Sequence, residues 1–352
     1  AVLLYPFHDM GTAGWITTTV NYFWPVWGMF FVGFLLKKML VHKKINIVEG
    51  IAGVLVCVIA SSHEQVAEIL FVVFIWYSIY LVCGKSKKMP LEQDSAGSTL
   101  TDKKVIHSNN LYLAGMVLVN IITLISILFC PGNAGRNAVS IADLPIFETY
   151  GFGDKLYLGL LSIERVFIAN CDAVFLTVAL VLAMLVYVKT DDYKKTIISA
   201  LPVLILFGQT AMRTAYPGLS GLFVMPQEIT EWSWGTLSTW LPMVYLAVTV
   251  AAMLYALWII LGEQPIEYIY ALLMLGCGFG AGMILGFMAT IYVSGERVYI
   301  TLYFILLFVT MFCIYRMADA VEEKLKQTGG KLAVTLLALI CLINIGFVTL
   351  SC

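Results

Sequence analysis

The residues best suited to chemistry are Ser61-Ser62-His63-Glu64-Gln65, with Glu68 one turn farther along. Glu64 and Glu68 are four apart and so share a helix face. A carboxylate that enters a bilayer is expensive unless it is used or paired. His63 adds a group that titrates near neutrality. Together they offer a general base in Glu64, a hydrogen-bonding carboxylate in Glu68, and an imidazole that positions a hydroxyl or helps a divalent metal. Capping of the helix by Ser61 or Ser62, with Glu64 at its positive end, accounts for the same residues. Both readings stay open. The segment is not a zinc-protease motif, because Ala67 stands where HExxH requires a second histidine.

A second candidate base is Asp9, in Phe7-His8-Asp9-Met10. Downstream, Asn21-Tyr22-Phe23-Trp24-Pro25 joins two hydrogen-bonding side chains to an aromatic cluster. Asn21 and Tyr22 are candidate substrate contacts, although such a cluster also suits an interfacial belt.

The elements that must position these residues follow from composition. Of 352 residues, 61% are hydrophobic and 12% charged, against roughly 25% charged in a soluble domain. The mean hydropathy is +0.90, spread along the length, and the formal charge is −1. This excludes a water-soluble globule and gives no basis for nucleic-acid binding. Runs long enough to span a bilayer occur at about 17–36, 45–61, 65–83, 111–130, 166–188, 196–212, 236–261, 266–292, 298–316 and 332–350. They are continuous, without the short alternating segments of a transmembrane barrel. The expected fold is all-α: a polytopic bundle of about ten spans forming a single transmembrane domain over 1–352. A cytoplasmic loop is expected at 84–104, and an outer loop with a short interfacial helix at 131–165. Val2 to Pro6 reads as the end of an apolar segment, so helices upstream of Ala1 are an open expectation.

Basic residues give the orientation. With the first span ending inside, 16 of the 21 Lys and Arg fall on inner segments. Fifteen of those are Lys, whereas the outer five are Lys155 and four arginines, Arg136, Arg165, Arg213 and Arg297. Arginine grips phosphate or carboxylate in a planar fork. Arg136, Arg213 and Arg297 are therefore candidate phosphate-binding residues; pairing with outer acids such as Glu148, Asp154, Glu164 or Glu296 is the alternative. Pro131-Gly132-Asn133 reads as a turn whose amides, with Arg136, could form an anion-binding concavity, and Asn133 is a candidate substrate contact. Residues 154–165 suit a helix lying on the bilayer surface. Gly278, Gly282 and Gly286 repeat at spacing four inside an apolar run, a packing seam for a neighbouring helix. The cysteines read as small packing residues, with a Cys130–Cys171 disulfide left open. No P-loop, Rossmann fingerprint, nucleophile elbow or zinc ligand set occurs.

Asn-Tyr-Phe-Trp-Pro (21–25), His-Glu-Gln (63–65), Pro-Gly-Asn-Ala-Gly-Arg (131–136) and Ser-Gly-Glu-Arg (294–297), in this order on one face, resemble bacterial polytopic proteins grouped with the GT-C glycosyltransferases. The Pro-Gly-Asn-x-x-Arg segment is the most specific piece. The resemblance implies an enzyme of the bacterial cytoplasmic (inner) membrane that transfers a sugar from a polyprenyl-phosphate donor to an envelope glycan or lipid acceptor on the outer face. It implies a catalytic Asp in the first outer loop, a place that only Asp9 could fill here. Its partners would be membrane lipid, the lipid-linked sugar and the glycan acceptor. A carboxylate, Asp9 or Glu64, would deprotonate the acceptor hydroxyl while the arginines hold the departing phosphate. The rival expectation is a transporter or lipid translocase, which would place ionisable residues near the midplane.

Overall fold

The computed structural model describes residues 19–40, 43–84, 99–216, 218, 229, 234–292 and 296–326. Every element among the described residues is helical, so the protein is an all-α bundle. Five helices are long and apolar enough to cross a membrane, or seven if two bent pairs each count as one span. The protein is thus a multi-pass membrane protein, and fewer crossings than the expected ten are recovered among the described residues. Part of the shortfall has local causes. The run at 45–61 forms a helix of only 15 residues, Ile47–Ser61. The run at 196–212 breaks by 52° between Ser199 and Leu201, and residues 332–350 lie outside the described residues.

The chain, expected to form one transmembrane domain, gathers into two compact units, Ala13–Arg136 and one built on Asn137–Cys352. In the first, a π-helical turn, Thr19–Phe23, leads into α1 (Trp24–Leu40), followed by α2 (Ile47–Ser61), α3 (Glu64–Gly84) and α4 (Thr99–Leu128). The end of the expected 84–104 loop is therefore helical. Small residues bring these helices together. A side chain at Gly28 would meet Ala60 and Val56, and one at Gly53 would meet Leu35. Asn46 caps α2 in a reciprocal capping box with Glu49, which also binds Lys38 at 2.6 Å. Asn109 of α4 fixes the same end by accepting from Ile45 N and donating to the Lys43 carbonyl.

Next comes α5 (Pro131–Asp143), whose first residues belong to the Pro-Gly-Asn segment. Pro131 does not force a loop here. It sits at the first helical position, where its missing N–H costs nothing and its fixed φ suits a helix. Only Phe129 and Cys130 separate α4 from α5. The expected turn is a helix start, and Cys130 and Cys171 are both free thiols.

The second unit contains α6 (Phe152–Glu164), α7 (Ala173–Thr190), α8 (Tyr193–Ser199), α9 (Leu201–Ala215), α10 (Leu237–Leu261), α11 (Pro265–Ile284), α12 (Ile300–Arg316) and α13 (Ala318–Leu325). The glycine spacing of α11 acts as a seam. Gly278 lies under Leu302 and Ile305, and Gly282 under Ile163 and Tyr299. Gly286, just past α11, is in backbone contact with Lys155 and Gly159 of α6. This close approach buries Tyr157, Leu158, Leu161 and Ile163 and carries the last residue of α6, Glu164, to 0% exposure. At the opposite end, Lys189–Glu263, Arg316–Glu267 and Lys324–Asp191 tie α7, α11, α12 and α13 with ion pairs of 2.9, 2.8 and 2.6 Å.

Candidate functional site

Four of the sequence candidates meet at one end of the first unit. The chain leaves α2 at Ser61 and re-enters a helix at Glu64, so His63 sits in a two-residue turn facing the start of α1. Tyr22 packs edge-on against the His63 ring, with centroids 5.0 Å apart. Glu64 and Glu68 stand one turn apart on α3, close enough to repel one another. Asn120 of α4 locks this corner by donating to Ser61 Oγ at 2.9 Å and to the Ala67 carbonyl at 3.0 Å. Tyr22, His63, Glu64 and Glu68 thus form one cluster, with Asn21 exposed at its edge.

Two orphan atoms give this cluster chemical capacity. His63 Nδ1 and Glu68 Oε2 are buried and have no hydrogen-bond partner among the described residues. Burial pushes the His63 imidazole down to about 4, so the ring is neutral at physiological pH and its free nitrogen can accept a hydrogen bond. Beside Tyr22, an apolar cleft of about 400 Å³ opens between α1 and α2, lined by Phe23, Trp24, Trp27, Gly28, Phe31, Val56 and Ile59. A polar corner therefore adjoins an aromatic groove along the helices.

The other candidates belong to the second unit or have side chains outside the described residues. Arg213 lies in the second unit, where its guanidinium donates to the Ala169 carbonyl. Arg136 falls within α5, as does Asn133, and Arg297 lies in a short 3-10 helix, Glu296–Tyr299; the side chains of all three are outside the described residues. Asp9 is also outside them. Among the described residues no group of three or more His, Cys, Asp or Glu stands close enough to hold a metal ion.

The second unit holds a polar cluster that sequence reasoning misses. Glu164, which the sequence offers only as a partner for an outer arginine, is fully buried and accepts a bond from Gln209 Nε2 at 3.1 Å. Burial outweighs both that bond and the attraction of Arg213, and pushes the Glu164 carboxyl up to about 7. Nearby, Asp172 caps α7 through Phe175 N and accepts from Tyr303 OH at 2.8 Å, and Tyr299 OH bonds Ser162 Oγ. Phe167 fills the space between Tyr299, Tyr303 and Phe175. The available signal is Gln209, the one amide in α9, placed one turn before Arg213.

No family model matches the chain, and no curated protein and no solved structure matches it either.

Proposed function

We propose that this protein is a membrane glycosyltransferase of the GT-C type, moving a sugar from a polyprenyl-phosphate donor to a cell-envelope acceptor on the outer face of a bacterial inner membrane. One observation carries the reading: His63, Glu64 and Glu68 gather at a helix boundary beside an aromatic cleft, and none of the five candidate spans among the described residues carries an acidic or basic side chain in its middle. In the candidate spans Val20–Leu40, Ser108–Leu128, Ala173–Thr190, Thr239–Leu261 and Pro265–Phe287, any Asp, Glu, Lys, Arg or His falls in a terminal turn. A transport path would be expected to run such groups through the middle.

In this reading the donor's isoprenoid tail lies along the cleft of Trp24, Trp27 and Phe31, and its head group reaches the Tyr22–His63 corner. Glu64 takes the proton from the acceptor hydroxyl as that oxygen attacks the anomeric carbon. The bond from that carbon to the lipid phosphate breaks, and the phosphate leaves with the electron pair. His63 Nδ1 and Glu68 hold sugar hydroxyls. Arg136, which belongs to the same compact unit as this corner, is the cation proposed to hold the phosphate, and a divalent metal could share that task. Asp9 is the alternative base.

Transport or lipid flipping is the second reading, favoured by the fully buried Glu164. Native mass spectrometry of the gently solubilised protein separates the two. The enzyme reading expects a polyprenyl phosphate or its glycosylated form to co-purify, with loss from Arg136→Ala and from Trp27→Ala. With that lipid as donor, Glu64→Gln should retain binding and lose at least roughly a hundredfold in transfer rate. Bulk phospholipid alone in every sample would put translocation first.

A further inference from the structure

Glu164 and Gln209 present an unsolved balance of hydrogen bonds. Glu164 is 0% exposed and Gln209 2% exposed, and one bond joins them, from Gln209 Nε2 to Glu164 Oε1. The remaining oxygen of each, Glu164 Oε2 and Gln209 Oε1, is buried and has no partner among the described residues. Both are acceptors when the carboxyl is ionised, so neither can satisfy the other. An unpaired buried acceptor is costly, and an unpaired buried carboxylate more so.

One proton removes both deficits. We propose that Glu164 and Gln209 form a buried proton-binding site in which the protonated carboxyl closes a cyclic acid–amide pair: Gln209 Nε2–H donates to Glu164 Oε1, and Glu164 Oε2–H donates to Gln209 Oε1. The proton comes from solvent and no covalent bond to carbon changes. The bond already present supplies one side of the ring, and the proton on Oε2 supplies the donor that the other side lacks.

The surroundings favour the neutral pair. Arg213, one turn beyond Gln209 on α9, attracts Glu164, yet its guanidinium is engaged by the Ala169 carbonyl. Among the described residues no ion pair reaches Glu164. On its own helix, Tyr157 feels the Glu164 charge. Arg165, on the π-helical turn after α6, acts on Tyr299, and Asp172 is held by Tyr303. The packed helices α10 and α11 bring no charge, since α10 has none and the single acid of α11, Glu267, lies at its far end. The site is independent of the glycosyltransferase reading, which uses none of its proton chemistry.

Infrared difference spectroscopy on the full chain in lipid nanodiscs, titrated from about pH 5 to about pH 9, tests the proposal. The expected result is a protonated-carboxyl carbonyl band that titrates near neutrality, disappears in Glu164→Gln, persists in Glu68→Gln, and changes frequency in Gln209→Leu. A band untouched by Glu164→Gln would overturn it. So would a band displaced by sodium at constant pH, which would make the site a metal-cation site. If Glu164→Gln does not fold, the Glu68→Gln protein decides: lack of any protonated-carboxyl band at about pH 6 means that Glu164 is ionised, with a bridging water, and the proposal fails.

Discussion

His63 in the first unit and Glu164 in the second meet the same physical problem with opposite chemistry. Each lies at a helix boundary, His63 half-buried and Glu164 fully buried, and in each burial is the leading cause of the displaced pKa. Burial disfavours the charged form whichever sign it has. It therefore strips the proton from the imidazole, down to about 4, and retains it on the carboxyl, up to about 7. The two units reach neutrality from opposite sides of the pH scale. Their supports also differ: the His63 corner is pinned by an amide, Asn120, bonded to its neighbours, whereas Glu164 is bonded directly by Gln209.

The sharpest way to break this comparison is to prise α6 from its seat. A Cβ at Gly286 would land on the Lys155 carbonyl and on the backbone of Gly159, neither of which can swing aside. Gly286→Ala should cost about 3 kcal/mol or more, at the upper end of overpacking effects. It should also let water reach Glu164 and return its carboxyl toward the ordinary range. The counterpart in the first unit, Gly28→Ala, brings a Cβ to 3.0 Å from Ala60 Cβ and 3.2 Å from Val56, and should cost less. Thermal unfolding in detergent, read with the infrared titration, measures both. Equal losses from the two substitutions would show that the units are packed alike.

Next in size is the response to pH. The folded first unit binds fewer protons at His63 than the unfolded chain between pH 6.5 and about 4, so its stability falls as pH is lowered through that window. The folded second unit binds more protons at Glu164 between 4.5 and about 7, so its stability falls as pH is raised through that window. A tenfold change in proton affinity is worth about 1.4 kcal/mol, so each effect is on the order of 3 kcal/mol. Hydrogen exchange should show opening around 61–67 on acidification and around 160–170 on alkalinisation. His63→Gln should abolish the first response alone and Glu164→Gln the second alone. Parallel responses would mean that something other than these two groups sets the pH dependence.

Much of this is legible in the sequence, and the reasons for the rest are physical. Helicity and membrane residence follow from long apolar runs, and the spacing of Glu64 and Glu68 places them on a shared face because both lie on one helix. The contact of Tyr22 with His63 depends on how α1 meets the turn after α2, which no local pattern encodes. Glu164 escapes a sequence reading because periodicity cannot distinguish a helix lying on lipid from one buried in protein. The deciding contact, Gly159 of α6 against Gly286, joins residues more than a hundred positions apart. Pro131 follows an apolar run and so suggests a helix end, yet it starts a helix, since proline punctuates both. The break at Ser199–Leu201 and the short α2 leave no mark in hydropathy.

A smaller effect concerns the amide that pins His63. Asn120 is 0% exposed and makes two bonds, to Ser61 Oγ and the Ala67 carbonyl. Asn120→Ala removes both and leaves Ser61 and the turn without their tie, a loss of about 1–3 kcal/mol. Because the turn then loosens, His63 should regain solvent and titrate closer to 6.5, which NMR of labelled histidine would follow. A stability loss with no change in His63 would show that the imidazole is held by Tyr22 rather than by the turn.

The smallest effects should come from the opposite ends of both units. Lys38 binds Glu49 in the first, and Lys324 binds Asp191 in the second, at 2.6 Å in each case. These pairs are short, yet each keeps contact with solvent, with Glu49 half-buried and Asp191 64% exposed, so screening and side-chain entropy offset most of the attraction. Lys38→Ala and Lys324→Ala should leave thermal stability within error of the parent and both pH responses intact. The second point carries the argument. If the pH responses arise from local burial at His63 and Glu164, removing a cation at the far end of each unit changes neither midpoint. A shifted midpoint in Lys324→Ala would mean that α7 transmits charge along its length, and the Glu164 carboxyl would then report on the whole unit instead of its own pocket.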